Sequence, residues 1–136
     1  MNKLPKDYTL LVVEDELPLQ AAIRLKLENH GLNVVTARTV AQASEYLHEI
    51  NPIDAIWLDH YLIGAGSGLD FVAQVRTIPA YAHIPIFVVS NSIDQEKITS
   101  YLQLGVSHYY TKTECRLIDI VTNIREYLDQ NTADKA

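Results

Sequence analysis

A chain of 136 residues, 48% hydrophobic and 21% charged, is long enough to bury a core as one domain without disulfides or a structural metal. Its single cysteine, Cys115, excludes an intrachain disulfide and points to a reducing, cytoplasmic setting. Eleven basic residues against seventeen acidic ones, a net charge of -6, argue against a nucleic-acid surface, and no apolar run is long enough for a membrane span or a signal-peptide core.

Short apolar runs alternate with segments of helical period along the whole chain. "TLLVV" (9–13) reads as a strand, followed by a helix that Pro18 opens, with Leu19, Ile23 and Leu27 at spacing of four and Gly31 as its stop. "LNVVTA" predicts a second strand, and "TVAQASEYLHEI" a helix with Val40, Ala43 and Leu47 inward. "PIDAIWL" predicts the third strand, and after the loop "DHYLIGAGSG" comes a helix carrying Leu69, Val72 and Val75. "IPIFVVS" is the fourth strand, with Pro85 tolerated at its start. Ser92 and Gln95 form a capping-box signal for a helix that carries Ile98 and Leu102 and stops at Gly105. "VSHYYT" is the last strand, and Leu117, Val121, Ile124 and Leu128 make one face of the last helix, before a polar tail expected to fray.

Strands apolar on both faces and separated by helices imply a parallel sheet covered on two sides, a doubly wound α/β fold in a single domain over residues 1–136 with its core at about 9–128. Such folds place their sites outside the carboxyl ends of the strands. Glu14 and Asp15 follow the first strand and Asp59 the third, with Ser90 ending the fourth and Lys112 the fifth. Two carboxylates about 4 Å apart repel by about 4 kcal/mol at an effective dielectric near 20, so three of them call for a cation. Hard oxygen donors in an open cluster suit Mg²⁺, and Mn²⁺ also fits. With the acids neutralised, one carboxylate can attack phosphorus, while Lys112 supplies a second cation and Ser90 a hydroxyl donor.

Read in order, "VVEDE", "WLDHYL", "FVVSNS" and "YYTK" resemble the receiver domain of two-component response regulators, of the chemotaxis-receiver type, over about residues 9 to 128. The resemblance implies a flavodoxin-like (βα)5 three-layer sandwich with parallel strand order 2-1-3-4-5. It implies Asp59 as phosphoacceptor, taking its phosphoryl group from a histidine kinase or phosphotransfer protein. Asp15, Asp59 and the main-chain carbonyl of Tyr61 would hold Mg²⁺, with Glu14 acting through a metal-bound water. Ser90 and Lys112 would contact the acyl phosphate, and Ser90 with Tyr109 would form a switch that alters an output face at about residues 92 to 128. Tyr61 and Ser92 would tune the lifetime of the acyl phosphate. The implied role is a signalling switch rather than an enzyme, with a kinase and an output protein or effector domain as partners, and a phosphorylation-dependent homodimer as a further state the resemblance allows.

This chain departs from the family pattern at three places. Position 14 is glutamate, the loop after Asp59 lacks the usual proline and is one residue longer before Gly68, and Thr113 stands where proline usually follows the lysine. A non-proline cis bond costs about 2.5 to 4 kcal/mol, so the Lys112–Thr113 bond is expected to be trans.

Other readings fit less well. His30, His48, His60, His83 and His108 lack zinc-ligand spacing, Cys115 reads as a packing residue, and Trp57 reads as core. Tyr101, Tyr109 and Tyr110 are expected to divide between core and output face. A flavodoxin-like cofactor binder would carry a Ser/Thr-rich phosphate loop where this chain has three acids, and no glycine-rich phosphate motif occurs. An aspartate-nucleophile phosphatase would want an acid at position 61, which is tyrosine. The competing reading is a pseudo-receiver that binds a partner without being phosphorylated.

Overall fold

The computed structural model describes residues 8–134. Five parallel strands, β1 (Thr9–Val13), β2 (Asn33–Ala37), β3 (Ala55–Leu58), β4 (Ile86–Ser90) and β5 (His108–Thr111), form one sheet in the order β2-β1-β3-β4-β5. Between and after them lie α1 (Leu17–Asn29), α2 (Val40–Glu49), α3 (Gly68–Arg76), α4 (Gln95–Gln103) and α5 (Leu117–Asp134). The doubly wound fold and its strand order are as expected. None of these helices is long and apolar enough to cross a membrane.

Alternation along the strands divides the core into two layers. Leu10, Val12, Trp57, Phe87 and Tyr110 pack against Ile23 and Leu27 of α1 and Val121, Ile124 and Leu128 of α5. Leu11, Val13, Ile56, Leu58 and Val88 pack against Ala43 and Leu47 of α2, Phe71, Val72 and Val75 of α3, and Tyr101 of α4. Trp57 is fully buried and Cys115 packs half-buried at the edge of the first layer, as the sequence suggests.

Helix termini follow local chemistry, with two corrections. The side chain of Asp94 caps α4 by accepting from the Lys97 amide at 2.9 Å, so the capping signal is Asp94 rather than Ser92. The buried face also differs from the apolar pair the sequence offers: Leu102 is 54% exposed, and Tyr101 is the buried residue of α4. Helix α3 starts on a capping box that the sequence reading passes over, formed by Ser67 and Asp70. Helix α5 continues past Leu128 to Asp134, and the first seven and last two residues lie outside the described residues.

Arg76, at the end of α3, pins the lower edge of the second layer. Its guanidinium donates to the carbonyls of Leu104, Ala82, Ile84 and Gly105 at 2.8 to 3.1 Å. These carbonyls lie just after α4 and in the segment before β4, outside the regular ladders of helix and strand. Arg76→Ala is expected to cost about 2 to 3 kcal/mol in urea unfolding, because charge-assisted bonds are lost and carbonyls are left without donors. Arg76→Lys is expected to recover little of this, since an ammonium cannot reproduce the fork; recovery of most of the stability would show that packing of the stem carries the effect.

Candidate functional site

Sheet register brings the predicted residues together. Val13 pairs with Leu58, so the residues that follow them, Glu14 and Asp59, leave the sheet side by side, and the Asp59 amide donates to the Val13 carbonyl at 2.9 Å. Ser90 pairs with Thr111, which places Lys112 one residue beyond, its amide on the Ser90 carbonyl at 2.8 Å. Carboxylate oxygens of Glu14, Asp15 and Asp59 lie within 4.8 Å of one another, the one such cluster of metal-ligating groups among the described residues.

Lys112 reaches into this cluster. Its Nζ donates to Glu14 Oε1 at 2.8 Å and Asp59 Oδ2 at 3.2 Å. The Lys112–Thr113 bond is trans, since the cis peptide among the described residues is Asn51–Pro52, and the ammonium still reaches both acids. Burial raises the pKa of Glu14, the Lys112 hydrogen bond opposes this, and the neighbouring Asp59 charge adds to it. Burial pulls the Lys112 ammonium the other way, but the Glu14 hydrogen bond and the Asp59 charge outweigh it and leave its pKa raised. Three carboxylates outnumber the one ammonium among them, an excess of acidic oxygens that a divalent cation would offset.

Of the predicted switch and lifetime residues, Ser90 lies inside and Tyr109, Tyr61 and Ser92 lie further out. Ser90 is fully buried, and its hydroxyl has no hydrogen-bond partner. Tyr109 is half-buried, its hydroxyl donating to the Asn91 carbonyl at 3.3 Å. Tyr61 donates from its amide to Asp59 Oδ1 at 3.3 Å and from its hydroxyl to the Ser92 carbonyl at 2.9 Å. The two positions expected to tune lifetime are thus joined by a hydrogen bond across the mouth of the site. Tyr101 and Tyr110 are buried, so the three tyrosines do divide between core and surface.

Several residues that shape the site were not singled out from the sequence. Arg38, following β2, donates from Nε and Nη2 to the Asp15 carbonyl at 3.1 and 3.0 Å, and Gln20 donates to the Glu14 carbonyl at 2.8 Å. These bonds hold the backbone of the acidic pair from two neighbouring elements. No sequence signal marks them, because both partners are main-chain atoms. His60 is 5% exposed, its Nδ1 2.6 Å from the Tyr101 hydroxyl. Burial lowers the pKa of this imidazole, and the Lys97 charge lowers it further. Gly68 donates its amide to the His60 carbonyl at 2.9 Å and leaves no room for a side chain beside Asp59.

The molecule is therefore a doubly wound α/β domain with an acidic crevice, closed on one side by a lysine, at the carboxyl ends of its strands. The chain belongs to the response regulator receiver domain family, whose model matches residues 10–125. It is 33% identical over 103 residues to the phosphate regulon transcriptional regulatory protein PhoB of Escherichia coli (strain K12), covering 76% of this chain and 44% of PhoB. It thus spans less than half the length of that relative. The two-component response regulator ORR12 of Oryza sativa subsp. japonica is 27% identical over 111 residues, 82% of this chain and 90% of ORR12. Among solved structures, the phosphorylated cyanobacterial phytochrome response regulator RcpA superposes with a TM-score of 0.78 at 29% identity, covering 89% of this chain and 93% of RcpA. A response regulator receiver protein from Pseudomonas putida gives a TM-score of 0.82 at 27% identity, covering 93% and 99%.

Proposed function

We propose that Asp59 accepts a phosphoryl group from the phosphohistidine of a kinase or phosphotransfer protein and that the domain works as a phosphorylation-controlled switch. The observation that carries this is the convergence on Asp59 of the Lys112 ammonium at 3.2 Å and two further carboxylates within 4.8 Å. In the transfer, a carboxylate oxygen of Asp59 forms a bond to phosphorus as the P–N bond of the donor breaks, and the imidazole leaves with its electron pair. Lys112 neutralises charge on the incoming phosphoryl oxygens, and the Tyr61 amide, already on Asp59 Oδ1, orients the carboxylate. The residues present fit a divalent cation: Asp15, Asp59 and the Tyr61 carbonyl would hold Mg²⁺ or Mn²⁺, with Glu14 acting through a bound water. Such an ion supplies charge neutralisation for the acids and the transferred group.

A ligand shifts a conformational equilibrium only by interacting differently with the two states. Ser90 offers that difference, since its buried hydroxyl lacks a partner and a phosphoryl oxygen on Asp59 would provide one. Movement there would alter Tyr109, whose hydroxyl rests on the adjoining Asn91 carbonyl. Residues 92–128, containing α4, β5 and most of α5, would then present a changed face to an output protein, an effector domain or a second copy of the chain.

Intact-protein mass spectrometry after incubation with a small-molecule acyl phosphate and Mg²⁺ tests the reading. One added phosphoryl group is expected, absent with EDTA and in Asp59→Asn. An unmodified mass in a folded, Mg²⁺-binding protein would favour the pseudo-receiver instead. Tyr61 is expected to slow hydrolysis by tying the loop after β3 to the loop after β4 over the site. Tyr61→Phe deletes that bond, worth about 1 kcal/mol, and is expected to speed loss of the phosphoryl group by about fivefold. An unchanged decay would assign the effect to the ring or to neither.

A further inference from the structure

Two side chains that phosphoryl transfer does not use lie directly behind the acceptor. His60 follows Asp59, is almost fully buried, and is hydrogen-bonded through Nδ1 to the Tyr101 hydroxyl at 2.6 Å. The two rings meet edge to face, with centroids 5.6 Å apart and planes at 82°. Tyr101 is fully buried and is the buried residue of α4. Its hydroxyl occupies the notch left by Gly68: a Cβ at Gly68 would lie 2.7 Å from that oxygen and 2.5 Å from the Asp59 carbonyl. The next residue, Tyr61, bonds the Ser92 carbonyl ahead of α4. Helix α4 is thus tied, before its first turn and near its last, to the two residues that follow the acceptor.

We propose that the His60–Tyr101 hydrogen bond makes α4 and the acceptor segment move as one unit, with Tyr101 as a positioning residue, and so carries the state of Asp59 to α4 separately from Ser90 and Tyr109. This rests on Asp59 being the phosphoacceptor. Phosphorylation converts a carboxylate that now accepts the Tyr61 amide into an acyl phosphate, which changes the hydrogen bonding of residues 59–61. The His60 imidazole cannot follow that change alone, because parting from Tyr101 would leave two buried polar groups without partners and without water. Tyr101 moves with it and, as the one fully buried side chain between Gln95 and Gln103, carries α4 along. The coupling is reciprocal: a partner that displaces α4 alters the acceptor segment by the same free energy.

Amide hydrogen exchange tests this in the wild type, Tyr101→Phe, His60→Leu and the double variant, each before and after treatment with a small-molecule acyl phosphate and Mg²⁺. Phenylalanine keeps the ring in its place and removes only the hydroxyl, and His60→Leu breaks the same bond from the other side. Phosphorylation is expected to change exchange in residues 97–104 of the wild type, and that change is expected to fall by about fivefold in each single variant and no further in the double. The response of β5, residues 108–111, is expected to persist, whereas simple loosening of the fold would affect both regions. An undiminished α4 response in Tyr101→Phe, with the phosphoryl mass present, overturns this proposal alone. A wild type that gains no phosphoryl mass overturns the receiver reading itself, and this proposal with it.

Discussion

Lys112→Met is expected to slow phosphorylation by a small-molecule acyl phosphate by about 10²-fold or more, the scale on which loss of one preorganised charge-stabilising donor acts. The ammonium is held by Glu14 at 2.8 Å and Asp59 at 3.2 Å, and its side chain is only 17% exposed. Water has only limited access to the position it fills. Methionine retains the apolar stem, so the variant removes charge with little change of volume. The same substitution is expected to lower the stability of the metal-free protein by about 3 kcal/mol, because it leaves buried carboxylates without their shared cation. Adding Glu14→Gln is expected to restore part of that stability by removing one of the two fully buried acids, and Mg²⁺ is expected to restore part of it by binding the folded state. Urea unfolding with and without Mg²⁺, beside mass-spectrometric phosphorylation rates, checks both effects. A variant that is phosphorylated at the wild-type rate would remove Lys112 from the chemistry.

Gly68→Ala is expected to destabilise the protein by about 3 kcal/mol, near the upper end of the usual cost of overpacking. A methyl group there would lie 2.5 Å from the Asp59 carbonyl and 2.9 Å from His60 Cα, and both are backbone atoms fixed by the sheet and by the Gly68–His60 hydrogen bond. No rotamer change relieves these contacts. Either α3 retreats from the sheet or the acceptor segment shifts. The first opens the layer around Phe71 and Val72, and the second moves Asp59 away from Lys112. Thermal unfolding is expected to show a fall of about 9 °C, with phosphorylation slowed in the fraction that remains folded. A melting temperature within about 1 °C of wild type would mean that α3 can slide at low cost, and that the close approach does not fix the acceptor.

Much of this protein is legible without coordinates. Continuous apolar runs of strand length, alternating with apolar residues at helical spacing, place all five strands and five helices, because each element must bury apolar surface to form. The parallel sheet follows from strands apolar on both faces, and the crevice from where such sheets leave their strand ends. Glu14, Asp15, Asp59, Ser90 and Lys112 were recognisable as one group because each stands at or just past the end of a predicted strand. Two details of α4 were misread for local reasons: Ser92 and Asp94 are both good caps, and Tyr101 and Leu102, three and four residues after Ile98, both fit one helical face, so spacing alone does not choose between them.

What only the tertiary structure decided are contacts between residues distant in sequence and ordinary in type. Lys112 could have lain in solvent; the β4–β5 register places it at the end of the sheet, where its ammonium meets Glu14, ninety-eight residues away. Arg38 and Gln20 act on carbonyl oxygens, which every residue carries, so no pattern of side chains announces them. His60 and Tyr101 become a pair only because α3 begins on a glycine that admits a phenol hydroxyl beside Asp59. Local patterning determines which face of each element is buried, since burial is a property of the segment itself. Which polar groups then meet within that buried space depends on the packing of segments against one another, and that is settled only when the chain is folded.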